Sequence, residues 1–168
     1  MKRIIVTLSI ILSLAFAGNV NAQQKFGHVN TQEVLATMPE VAQLEAQIQS
    51  KSKEYETQLK NLYTQYQNIA TDIQTNGANY MEAVLEAKYK EGAELEQKIT
   101  KIESAAQQEL AQFEQAQFEP IKQKAMNAIE KVARVNGFTY IFDSSVGVLL
   151  VQPATDDITN LVKTELGI

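Results

Sequence analysis

His28 is the only histidine in the chain, and imidazole is the side chain best suited to act as a base or a pH switch near neutrality. No serine–histidine–aspartate or metal-ligand spacing surrounds it. With no cysteine and only scattered carboxylates, one histidine cannot complete a zinc site. A lone titratable group needs a partner to become a site, so His28 reads as strand packing. Residues 82–119 form a charged run that holds nine Glu against four Lys. Glu94 and Lys98 stand four apart, a pairing that adds about 0.2–0.5 kcal/mol to an exposed helix, so this run reads as a solvated helix face. No glycine-rich phosphate loop is present. The sequence therefore points to no catalytic constellation, no metal and no cofactor, and the protein reads as a non-enzyme.

The remaining chemistry is adhesive. Tyr55, Tyr63, Tyr66, Tyr80, Tyr89, Phe113 and Phe118 lie in one long polar stretch. Tyr55, Tyr66 and Phe113 fall on an apolar seam and read as helix–helix core. Tyr63, Tyr80, Tyr89 and Phe118 fall off it and, with Met81, offer adaptable contact that demands no fixed partner sequence.

The element that carries them is residues 40–135, which read as two antiparallel helices joined near Asn76, Gly77, Ala78 and Asn79. The first seam is Val41, Leu44, Ile48, Tyr55, Leu59, Leu62, Tyr66, Ile69 and Ile73, with Ile48, Tyr55, Leu62 and Ile69 stepping by seven. The second is Met81, Leu85, Leu95, Ile99, Ile102, Ala106, Phe113, Ile121, Ala125, Ile129 and Val132. Such narrow stripes pack one helix on one or two others, and nothing is apolar all round as a membrane span would be. At 1.5 Å per residue the arms measure roughly 50–55 Å and 80–85 Å, so the returning helix must run into whatever body the chain ends form. Pro120 is expected to kink it near that point.

Residues 1–22 read as a secretory signal peptide. Lys2 and Arg3 precede an apolar run at 4–17 that is too short to span a bilayer, and Val20, Asn21 and Ala22 supply the small-residue cleavage site. Residues 23–168 would form one domain with 13 basic and 20 acidic residues, a net charge of −7. That balance argues against nucleic acid. The lack of cysteine removes disulfides and a lipid-anchored terminus.

Residues 25–29 read as a strand, followed by a short helix started by Asn30 and Glu33 and ended by Pro39. At the other end Asn136 and Gly137 stop the long helix, residues 138–143 read as a second strand, and residues 144–147 as a turn. Residues 148–151 read as a third strand whose apolar run implies burial on both faces. Thr155, Asp156 and Asp157 are expected to open a last helix with Ile158, Leu161, Val162 and Leu166 inward. The expected fold is mainly α with a small β body, about residues 23–39 and 136–168, and a long helical hairpin, about residues 40–135, inserted between its strands. A body this small is a poor core for one copy, and a sheet completed by neighbouring subunits would cover its own edges. Phe26, Val29, Tyr140, Ile141, Phe142, Val148, Leu149 and Leu150 are the expected oligomer interface.

A strand at Lys25, Phe26, Gly27, His28 and Val29, a long polar hairpin, the run from Gly137 to Asp143 and the Asp157-Ile158-Thr159 helix start together resemble the Skp/OmpH family of periplasmic chaperones. The resemblance covers the whole chain after the signal peptide. It implies a homotrimer in which three helical tentacles hang from a shared β body around a cavity. It further implies ATP-independent holding of unfolded outer-membrane proteins in the periplasm, with hand-over to the barrel-assembly machinery. Tyr63, Tyr80, Met81, Tyr89 and Phe118 then become candidate client contacts. Well-known members are strongly basic, and some are proposed to bind lipopolysaccharide through basic tentacles. The acidic arms here argue against lipopolysaccharide binding, and no such site is carried over. The alternative is a structural coiled-coil scaffold or envelope spacer, which predicts longer unbroken heptads and ends without strands.

Overall fold

The computed structural model describes residues 24–168; the expected signal peptide lies outside them. Strand β1 (Phe26–Val29) leads into helix α1 (Thr31–Thr37) and the first arm, α2 (Pro39–Asn76). A single 3-10 turn, Gly77–Asn79, forms the tip, and α3 (Glu82–Val135) returns. Strand β2 (Tyr140–Asp143), a 3-10 turn at Ala154–Asp156 and helix α4 (Thr159–Leu166) complete the chain.

The starts of the first two helices follow from their sequence. The Asn30 side chain accepts a hydrogen bond from the Glu33 N–H at 3.0 Å, so the first turn of α1 has its cap. Met38 is extended and ends α1, and Pro39 opens α2 where no amide partner is needed. The arms are 38 and 54 residues long. Cross-arm polar pairs set their antiparallel register. Glu40 meets Lys124, Tyr55 meets Glu109, Tyr63 donates to Glu103 at 2.7 Å, and Lys88 pairs with Asp72 at 2.6 Å. Between these pairs runs the seam, in which Leu44, Leu62, Ile99 and Ala106 are buried. The second arm passes through Pro120 as one helix.

The dense core lies at the opposite end from the tip. β1 and β2 pair in parallel, Phe26 with Tyr140 through Val29 with Asp143. Gly27, Val29 and Ile141 turn inward over α3. Val29, Val34, Met38, Ile158 and Val162 are at most 2% exposed and pack on Ile121, Ala125, Ala128, Ile129 and Val132. Gly27 is required here because a Cβ would lie 2.8 Å from the Phe138 ring and 3.0 Å from Ile141. The Asp143 carboxylate ties the two chain ends together, and the Asp157 carboxylate caps its own neighbour. Asp143 accepts from the Thr31 hydroxyl at 2.6 Å and the Ser145 N–H at 2.9 Å; Asp157 accepts from the Thr159 N–H at 2.8 Å and its hydroxyl at 2.6 Å.

Two expectations are corrected. Val148, Leu149, Leu150 and Val151 form no strand; the sheet has two strands, and Leu150 is 97% exposed rather than buried on both faces. An apolar run becomes a strand only where an edge pairs with it, and the turn at residues 144–147, with Gly147 left-handed, carries this run away from β2. The last helix begins at Thr159, not at Thr155. Asp157 is extended because it bridges to His28, whose carbonyl takes the Ile158 N–H at 2.9 Å, and its side chain then caps Thr159.

Candidate functional site

Two surfaces stand out, at opposite ends of the molecule. At the body end Phe26, Tyr140 and Phe142 share the outward face of the sheet and are 45–53% exposed. Their rings stack, with Phe26 centred 5.7 Å from Tyr140 and 6.2 Å from Phe142. Later in the chain, the run at residues 146–151 exposes Val146, Val148, Leu150 and Val151, while Leu149 is half-buried. Of the residues expected at an interface, Val29 lies in the core of its own chain and Ile141 packs half-buried against that core. The other six leave side-chain surface uncovered.

His28 sits in the same strand but is buried. Its Nε2 donates to the Pro153 carbonyl at 3.0 Å, and Nδ1 has no partner among the described residues. Burial pushes the Asp143 and Asp157 carboxyls up, but the hydrogen bonds each accepts outweigh it and hold both below the usual range. Among the described residues no group of three or more His, Cys, Asp or Glu could hold a metal ion, and no helix is long and apolar enough to cross a membrane.

The second surface is the arm. Its five expected contact residues do not gather in one patch. Met81 and Tyr89, near the tip, are 76% and 59% exposed. Tyr63 and Tyr80 have hydroxyls committed to Glu103 and Asp72, and these carboxylate acceptors raise both phenol pKa values. Phe118 lies far from the tip, half-buried over Val34, Leu35 and Met126. Asp72 is the hub of the tip. Hydrogen bonds from Lys88, Asn76 and Tyr80 lower its pKa to about 2.

The periodicity missed one feature. Tyr66, a seam position, is 37% exposed and stands across from Tyr89 over an open groove of about 350 Å³. Ile69, Ala70, Gly92 and Ala93 form its floor. The available signal was Gly92, which interrupts the second arm and faces Ile69 of the first.

A family model for outer membrane protein (OmpH-like) matches residues 25–166, from the start of β1 to the end of α4. The chain belongs to the OmpH-like family. Its fold also resembles the 2.83 Å crystal structure of a candidate outer membrane chaperone (OmpH-like) from Caulobacter crescentus CB15. The TM-score is 0.76 over 86% of each chain, at 14% sequence identity, a likeness of fold. No curated protein matches. OmpH-like membership supports a chaperone role, in a family that is periplasmic and non-enzymatic in general.

Proposed function

We propose that residues 23–168, freed of a signal peptide at 1–22, form a periplasmic homotrimer. It holds unfolded outer-membrane proteins between its arms without ATP and passes them toward the barrel-assembly machinery. The observation that carries this reading is the exposed, stacked aromatic sheet face of Phe26, Tyr140 and Phe142, with a second uncovered apolar run at residues 146–151. Exposed, stacked aromatic surface of this kind marks an interaction site, and among the described residues β2 has an open edge to which another chain can add. Assembly through the body would set three arms side by side. Each arm then offers Met81 and Tyr89 freely, ring surface of Tyr63 and Tyr80, and the cleft beside Phe118. These are weak, exchangeable contacts suited to a client that must stay loose.

Dilution of a urea-unfolded outer-membrane barrel protein into buffer with residues 23–168, without nucleotide, tests this by light scattering. The expected result is suppressed aggregation near one trimer per client, without refolding. Unimpeded aggregation by a sample of trimeric mass would overturn the holding activity.

A further inference from the structure

The groove between Tyr66 and Tyr89 lies in the most acidic part of the molecule. Residues 54–110 face one another across the distal arm and hold ten acidic against five basic residues; the other described residues hold ten against eight. Among the described residues the only ion pair in this distal part is Lys88 with Asp72. The one cation lining the groove is therefore neutralised within the arm. Glu86 and Glu96 are exposed and have no ion-pair partner. Residues 86, 89, 93 and 96 share one face of α3 by helical spacing, so these carboxylates flank Tyr89 and Ala93 above and below.

We infer that this groove binds one apolar side chain of an unfolded polypeptide whose neighbouring side chains are cationic. The apolar floor between two tyrosines supplies the seat, and the unpaired carboxylates supply the sign. Geometry sets the spacing. Glu86 and Glu96 are ten residues apart on a helix, about 15 Å. In an extended peptide, residues two before and two after a central one are about 13 Å apart and point to its side. The favoured segment is thus Lys-x-Phe-x-Lys or its arginine and aliphatic equivalents, a pattern that matches the alternation of a strand. This rests on the holding activity proposed above and adds to it a preference by charge and spacing.

The test uses fluorescence anisotropy of the mature chain with labelled, unstructured peptides. Lys-x-Phe-x-Lys is compared with Glu-x-Phe-x-Glu, with Lys-x-Ala-x-Lys, and with a version carrying its lysines directly beside the phenylalanine. At low ionic strength the first is expected to bind about five- to tenfold more tightly than the second, a gap that narrows in high salt because exposed charges are screened. The alanine and adjacent-lysine versions are expected to be weaker than the first. In Glu86→Lys/Glu96→Lys, with helix content checked by circular dichroism, the preference is expected to reverse. Equal binding of the cationic and anionic peptides, or binding of none, by a protein that suppresses aggregation would overturn this inference and leave the holding activity intact. No peptide binding together with unimpeded aggregation would remove both.

Discussion

The body and the distal arm are built on opposite terms. In the body, five side chains from β1, α1 and the C-terminal segment are at most 2% exposed, and the cations Lys163, Lys131 and Lys124 clip α4, α3 and α2 to their neighbours. Between residues 54 and 110 only Leu62, Gly92, Ile99 and Ala106 are buried, and the remaining seam is half-covered or, at Tyr66 and Met81, exposed. A packed core loses heavily from any one change. A two-helix ladder distributes its stability over many modest contacts and can open locally. Rigidity sits where chains would join, and yielding structure sits where a partner would be held.

The comparison breaks first if the body tolerates a buried charge. Val34 is fully enclosed, so Val34→Asp strands a carboxylate in the core, at a cost of roughly 3–5 kcal/mol. Urea titration followed by circular dichroism is expected to show a midpoint far below that of the parent, and an unchanged midpoint would mean the body is not the rigid region. Next comes assembly. On the proposed assembly, Phe142→Asp and Leu149→Asp are each expected to leave a monomer in sedimentation velocity; a variant that keeps the parent's mass would move the interface away from the body. Gly27→Ala should cost about 1–3 kcal/mol, because its methyl meets the Phe138 ring. On the arm, Ile69→Ala removes a half-buried side chain and should cost about 1–2 kcal/mol, less than a core truncation. A loss equal to that of Leu44→Ala, which empties a buried position, would erase the contrast.

The smallest effect is one of pH at the tip. The Asp72 carboxyl is held at about 2 against an ordinary value of 3.8, so it stabilises the folded tip fully above about pH 4 and loses that contribution as pH falls toward 2. Hydrogen-exchange protection factors around residues 72–88, taken relative to the intrinsic rate at each pH, should fall over that window in the parent and stay flat in Asp72→Asn.

The hairpin was legible because a seam stepping by seven over many turns has few alternative readings, and because Asn76 and Gly77 break it once. The short helix was legible from Asn30 and Pro39. Residues 148–151 misled because an apolar run becomes a strand only if its connection lays it along an edge, and composition does not reveal that the turn at residues 144–147 carries it away from β2. Met81 fitted the seam by spacing, yet it sits at the N-cap of α3, beyond the last packed turn, and is exposed. The arm surface was harder still. Spacing separates on-seam from off-seam tyrosines, but it does not reveal that Tyr63 and Tyr80 spend their hydroxyls on carboxylates of the same arm. Nor does it show that Gly92 opens a groove that leaves Tyr66 uncovered.

Phe26–Val29 pairs with Tyr140–Asp143 in parallel, and this dictates an order of events. A chain emerging amino end first must leave β1 without its neighbour until nearly the whole polymer has followed. Closing a loop of that length from a random coil is slow, but a hairpin that zips from its tip downward brings residues 39 and 135 together first. The remaining gap is then about fifteen residues instead of about 110, which trims the closure entropy by about 2 kcal/mol. The arm is thus also the body's folding template, and lesions far out on it should be felt as delayed maturation of the sheet.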